Sequence, residues 1–155
     1  MSGTQSAPMF QQIALIGIGL IGSSISHAAR RAGLAGSIVG CSPRAETRVK
    51  AEQLGLVSSS FEHAADAVRG ADLVLLCSPV GTYAAIAKEI GPHLVPGTIV
   101  SDVGSVKASV VRDVLPHIPE GVHFIAGHPI AGTEQSGPEA GFAELFDGRW
   151  CILTP

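Results

Sequence analysis

The residues with the clearest chemical potential fall in four short runs. Gly17-Ile18-Gly19-Leu20-Ile21-Gly22 spaces its glycines as G-x-G-x-x-G. Cys77-Ser78-Pro79-Val80 and Asp102-Val103-Gly104-Ser105-Val106-Lys107 each follow an apolar stretch, as does Gly127-His128-Pro129-Ile130-Ala131-Gly132-Thr133-Glu134. The glycine spacing suits a diphosphate. Gly17 permits a tight turn, Gly19 lets the backbone come close to phosphate, and Gly22 lets a helix pack near a strand. A helix start behind such a turn offers free N–H groups and a positive dipole end to an anion.

These runs need elements to position them. Apolar stretches punctuated by Gly and Pro predict strands over 13–16, 37–41, 73–76, 98–101, 123–126 and 150–153, with a short one at 56–57. Helices are expected over 20–32, 44–54, 62–69, 79–90 and 106–115, and one or two turns over 140–146. Residues 127–141 read as loop. The glycine run thus follows a strand and opens a helix, the context that a dinucleotide-binding fingerprint requires. Strand and helix alternate throughout, so the fold class is α/β: a Rossmann-type, doubly wound, mostly parallel sheet with right-handed crossovers. Residues 1–11 read as a flexible tail and 12–155 as one NAD(P)-binding domain.

In such sheets ligands bind beyond the carboxyl ends of the strands. The four runs all stand there. Gly17, Ile18, Gly19, Leu20, Ile21 and Gly22 are therefore candidate cofactor residues, and polar groups of the other runs would face a nicotinamide and its substrate. An NAD-selective domain places an acid at the end of its second strand, about 20 residues after the glycines. This chain has Cys41-Ser42-Pro43-Arg44 instead. Ser42 can donate a hydrogen bond and Arg44 can pair with a 2′-phosphate, with Arg48 one helical turn beyond. NADP is therefore favoured over NAD. Ser105 also reads as the N-cap of the helix starting near Val106. Asp102 reads as an ion-pair or turn residue outside the candidate set, and Lys107 as a solvated helix side chain. His63, His93 and His117 have no partner pattern and are treated as structural.

Composition narrows the alternatives. The 155 residues suit one domain with a real core, and 46% hydrophobic against 15% charged residues argues against long disorder. A net charge of −3 with no basic run speaks against a nucleic-acid partner. Cys41, Cys77 and Cys151 are three in number and lack CxxC spacing. That opposes a disulfide framework or a zinc site, and buried thiols are expected; no metal is called for. No run approaches the length of a membrane span and the first residues do not form a signal peptide, so a cytoplasmic location is expected.

The Gly-Ser-Val-Lys run, followed by Gly-His-Pro-Ile-Ala-Gly-Thr-Glu and Ser-Gly-Pro, resembles the prephenate/arogenate dehydrogenase family, and the closing Ile152-Leu153-Thr154-Pro155 resembles the end of its nucleotide domain. The likeness spans roughly Ile13 to Pro155. It implies an oxidative decarboxylation in tyrosine biosynthesis: a hydride leaves ring C4 of prephenate or arogenate and carbon dioxide leaves C1. By this resemblance His128 is the imidazole that accepts the C4 hydroxyl proton. Ser105 holds hydroxyl and imidazole in register, and Thr133 and Glu134 meet the substrate's side-chain end. Ser78, Pro79 and Val80 line the cofactor, and Gly132 allows close backbone approach. The resemblance also implies a second, helical domain, absent from this chain, that supplies homodimer contacts and arginines for the substrate carboxylates. The chain alone is then expected to bind cofactor with little turnover, and to expose an apolar patch near its last strand. Two other readings stay open: another NADP-dependent hydroxyacid or imino-acid reductase of the same fold, and a non-catalytic dinucleotide-binding module.

Overall fold

The computed structural model describes residues 6–155. Of the segment read as a tail, residues 1–5 lie outside the described residues. Phe10 and Gln11 belong to the first strand, β1 (Phe10–Ile16). The Phe10 N–H donates to the Leu34 carbonyl at 2.9 Å. The Gln11 and Gln12 N–H groups donate to the Asp72 carboxylate at 2.8 and 2.9 Å. The sheet therefore begins at residue 10.

The chain continues through α1 (Leu20–Arg31), β2 (Ala35–Cys41), α2 (Ala45–Gln53), β3 (Ser59–Phe61), α3 (Ala64–Ala67) and β4 (Leu73–Leu76). Then come α4 (Tyr83–Ile90), β5 (Ile99–Asp102), α5 (Lys107–Val114), β6 (His123–Pro129) and β7 (Cys151–Thr154). The sheet order is β3-β2-β1-β4-β5-β6-β7. The first six strands are parallel and β7 returns antiparallel to β6. This is the Rossmann-type α/β sheet that the alternation of elements predicts.

Period-two alternation sends the sheet's side chains to two cores. Ala14, Ile16, Val74 and Leu76 pack with Tyr83, Ala87 and Ile90 of α4 and Val110 and Val114 of α5. Ile13, Leu15 and Ile38 pack with Ala29 of α1 and Ala51 of α2. Both faces are covered, which is why the central strands read as unbroken apolar runs. Strand order reverses between β1 and β4, so connections leave these neighbours in opposite directions and open a crevice at their ends.

Three local expectations change. The third strand lies at 59–61, not 56–57. Leu56 and Val57 are buried in the core and outside the ladder, so their apolar character reflects burial without pairing. β6 runs on through Pro129 because β7 pairs with it, His128 opposite Ile152. Cys151 is exposed, whereas Cys41 is buried and Cys77 partly so. The expected apolar surface is present around β7: Trp150 is 82% exposed, with Ile152 and Leu153 beside it.

Candidate active site

At the end of β1 the chain turns at Gly17, whose φ is +105°. A β-carbon there would stand 2.8 Å from the Cys77 carbonyl carbon, and one on Gly22 would stand 2.3 Å from the Gly17 oxygen. These two glycines are explained by protein packing alone. Gly19 is not. Its φ is −91°, open to any residue, and a β-carbon there would meet no atom of the described residues within 4 Å apart from its chain neighbours. It caps α1 without a side-chain cap bond, and the first turn of α1 holds no acidic residue. The Ser23 hydroxyl donates back to the Gly19 carbonyl at 2.5 Å, and among the described residues no hydrogen bond takes the Leu20, Ile21 or Gly22 N–H. Uncapped N–H groups facing a clear space suit an anion. Of the remaining fingerprint residues, Ile18 is buried in the core, so only its backbone is offered to a ligand. Leu20 and Ile21 are half-buried in the first turn of α1.

The crevice beside this turn has a volume of about 370 Å³ and is lined by Gly17, Cys41, Pro43, Ser78, Pro79 and Ile86, among others. Tyr83 underpins its β4 side: the ring is fully buried and its hydroxyl donates to the Leu76 carbonyl at 2.7 Å. Burial holds that phenol well above its ordinary range. The Ser78 hydroxyl lies 2.8 Å from the Thr82 hydroxyl, and Thr82 donates to the Pro79 carbonyl at 2.6 Å. The Ser78-Pro79 corner is thus pinned at the crevice wall.

At the end of β2 the Ser42 hydroxyl accepts the Arg44 N–H at 3.3 Å and keeps its own proton to donate. Arg48 donates to the Ser42 carbonyl at 2.7 Å. It therefore braces this corner, and does not point free as a helper of Arg44. Arg44 is exposed.

The ends of β5 and β6 are tied by one carboxylate. Asp102 is 2% exposed. Its Oδ2 accepts the Gly104 N–H at 2.8 Å and its Oδ1 accepts the Gly127 N–H at 3.0 Å. Lys107 Nζ pairs with the same carboxylate and donates to the Gly127 carbonyl at 2.6 Å. Lys107 is thus largely buried, not a solvated side chain, because a buried carboxylate needs a cation. Ser105 is not the helix cap: α5 starts at Lys107, behind Val106, with no side-chain cap bond. Among the described residues no hydrogen bond to protein occupies the Ser105 hydroxyl or the His128 imidazole. Val80 packs beside Gly104, where a β-carbon would stand 2.8 Å from Val80 Cγ2. Gly17 thus lies against Ser78, Val80 against Gly104, and Gly104 is linked to Gly127 through Asp102.

Gly132, Thr133 and Glu134 lie on an exposed loop beyond β6. The Thr133 hydroxyl accepts the Gln135 N–H at 3.2 Å, and Glu134 has no ion pair among the described residues. The chain then returns to α1. The Phe142 N–H donates to the Ser24 hydroxyl at 3.2 Å, and Arg31 grips Asp147 at 2.6 and 3.2 Å. The ion pair bears out the reading of Asp102 as an ion-pair or turn residue, but sequence reasoning missed Lys107 as its partner. An Asp closing an apolar strand, with a Lys five positions on, was the available signal. Among the described residues no group of three or more His, Cys, Asp or Glu is placed to hold a metal. Nor is any helix long and apolar enough to cross a membrane.

Comparison with known proteins agrees with this arrangement. The family described as prephenate dehydrogenase, nucleotide-binding domain, matches residues 25–155. The chain is 43% identical over 148 residues to a cyclohexadienyl dehydrogenase of Zymomonas mobilis, covering 95% of this chain and 50% of that one. Its structure matches that of a prephenate dehydrogenase from A. aeolicus, in complex with hydroxyphenyl propionate and NAD+, with a TM-score of 0.85 and 36% identity, over 94% of this chain and 50% of that one. A Synechocystis arogenate dehydrogenase matches with a TM-score of 0.84 and 32% identity, over 94% and 50%. The chain spans about half the length of these relatives. It belongs to the prephenate dehydrogenase family, of which it forms the nucleotide-binding domain.

Proposed function

We propose that this domain holds NAD(P) and supplies the proton-accepting side of the oxidative decarboxylation of prephenate or arogenate. The observation that carries the reading is that two side chains with no hydrogen bond among the described residues, Ser105 and His128, each directly follow a glycine held by Asp102, at the end of the sheet that also carries the glycine turn with Gly19 clear. The residues fit a dinucleotide: the first N–H groups of α1 would hold the diphosphate, Ser78, Pro79 and Val80 would line the wall, and Ser42 and Arg44 would take the adenine ribose. A bound nicotinamide would supply the acceptor for the hydride that leaves ring C4. His128 accepts the C4 hydroxyl proton and can return it to the phenolic oxygen once the C1–carboxylate bond has broken. Ser105 holds hydroxyl and imidazole together. Gly132, Thr133 and Glu134 face the substrate's side-chain end.

NADP is favoured over NAD because no carboxylate stands among residues 41–44 and the Arg44 guanidinium has no ion-pair partner among the described residues. A carboxylate there would repel a 2′-phosphate. Residues 127–138 contain no Lys or Arg, although prephenate carries two carboxylates that call for cationic partners. We assign those partners, and the homodimer contacts, to the portion of the relatives that this chain does not span. The isolated chain should therefore bind cofactor and turn over little.

Calorimetric titration with NADP+ and with NAD+ tests the cofactor site. Tighter NADP+ binding is expected, tighter NAD+ binding would reverse the preference, and binding of neither would sink the site. Replacing His128 with Asn in a protein that turns over prephenate tests the chemistry: the rate should fall at least about a hundredfold, as for loss of a general base.

A further inference from the structure

Asp102 takes hydrogen bonds from the residues immediately before both proposed reacting groups: Gly104 precedes Ser105 and Gly127 precedes His128. Each carboxylate oxygen takes one of these N–H groups. Lys107 then closes on the other side of Gly127, at its carbonyl, while pairing with the carboxylate. One buried ion pair thus ties together the two segments that leave the β5–β6 ladder, beyond its last pair Ser101–Ile125, and a glycine sits at each contact point. Both are confined: a β-carbon on Gly104 would stand 3.0 Å from Asp102 Oδ2, and one on Gly127 would stand 3.0 Å from the Asp102 carbonyl.

Simple stabilisation is a poor reason for this arrangement. A buried pair rarely outperforms apolar residues of the same volume, since both charges must leave water. Its better-attested use is to fix one geometry among several, and the geometry fixed here is the spacing of Ser105 from His128. We propose that Lys107, acting through Asp102, is a positioning residue that sets the register of Ser105 against His128. This rests on the dehydrogenase reading above. Lys107 touches neither substrate nor cofactor in this role. It pairs with the Asp102 carboxylate, which takes both N–H groups, and it holds the Gly127 peptide from its other side.

The test uses the whole chain with Lys107→Met, Lys107→Gln and Lys107→Arg, read by NMR. Three quantities are followed: amide exchange at Gly104 and Gly127, the ring signals of His128, and affinity for 2′-phospho-ADP-ribose, which lacks the nicotinamide end. Lys107→Met and Lys107→Gln should speed exchange at Gly104 and Gly127 at least tenfold and shift or split the His128 ring signals. Affinity for 2′-phospho-ADP-ribose should stay within twofold, and Lys107→Arg should restore both signals. Unchanged exchange and ring signals in a folded Lys107→Met protein would overturn the proposal. So would loss of β1 amide protection in both neutral variants, because the pair would then only hold the fold. If the wild-type chain binds neither 2′-phospho-ADP-ribose nor ADP-ribose while the His128 response persists, the dehydrogenase reading fails and the positioning role stands.

Discussion

The backbone of Gly17 approaches that of Ser78 so closely that a β-carbon on Gly17 would stand 2.6 Å from the Ser78 nitrogen. This contact joins the first turn after β1 to the corner after β4 across the point where strand order reverses. It separates the tasks of the three fingerprint glycines. Gly17→Ala and Gly22→Ala must push backbone aside, so each should cost about 1–3 kcal/mol of stability, as overpacking does. Gly19→Ala has room, and should cost well under about 1 kcal/mol yet weaken dinucleotide binding about tenfold or more by filling the space kept for phosphate. Urea unfolding with calorimetric titration of the same three variants checks this. Equal stability losses at all three positions would contradict it.

The buried pair makes a separate thermodynamic prediction. The Asp102 side chain is fully buried and that of Lys107 is 17% exposed, so removing one partner leaves a buried charge alone. Asp102→Ala should cost about 3–5 kcal/mol. Asp102→Asn combined with Lys107→Met should cost clearly less than the sum of the single changes, because neither charge is then stranded. A double-mutant cycle by denaturant unfolding measures the difference, and strict additivity would contradict it.

The cysteines predict a pH effect. Burial pushes the Cys41 thiol up to about 11 and the Cys77 thiol up to about 12, so both stay protonated at pH 8 in the folded chain. Only the exposed Cys151 should react quickly with a disulfide reagent, giving one fast thiol per chain, and Cys151→Ser should remove it. In the unfolded chain a thiol ionises near 9.0. The unfolded state therefore loses protons first as pH rises, and stability should fall from about pH 9 upward. Two or three fast thiols at pH 8 would show that the core around β2 and β4 is looser than described.

On the proposed reading, Arg44 carries the preference for NADP+. Its guanidinium is exposed, while Arg48 is engaged with the Ser42 carbonyl. Arg44→Ala should weaken NADP+ binding about tenfold, or 1.4 kcal/mol, and leave NAD+ binding nearly unchanged. Arg48→Ala should weaken both cofactors together, because it loosens the corner itself. Parallel titrations distinguish these patterns, and an equal loss for both cofactors in Arg44→Ala would contradict the assignment.

Much of the fold could be read from the chain because its signals are local. Ile13 to Ile16 is apolar on both faces and stops at a glycine, which marks a central parallel strand before any neighbour is known. Long-range pairing was less visible. Nothing near Phe10 announces that its N–H meets Leu34, and nothing near His128 announces the return of β7, so β1 and β6 both extend beyond their expected ends. Leu56 and Val57 show the reverse error, where burial imitated a strand. At the site, glycine spacing was legible because the turn is built from consecutive residues. The Asp102–Lys107–Gly127 cluster was not, because its third member lies on another strand and a lysine at a helix start ordinarily faces water. Ser105 was expected as a cap. The helix begins one residue later, which frees its hydroxyl.

The most direct test of the central claim, that a dinucleotide cradle and the Ser105–His128 pair form one site, is an NMR titration of the 155-residue chain with NADP+. The account predicts that amide signals of Gly19, Leu20, Ser78, Ser105 and His128 move together along one saturation curve. Movement confined to residues away from the ends of β1, β4, β5 and β6, or movement at Gly19 with none at Ser105 and His128, would contradict it.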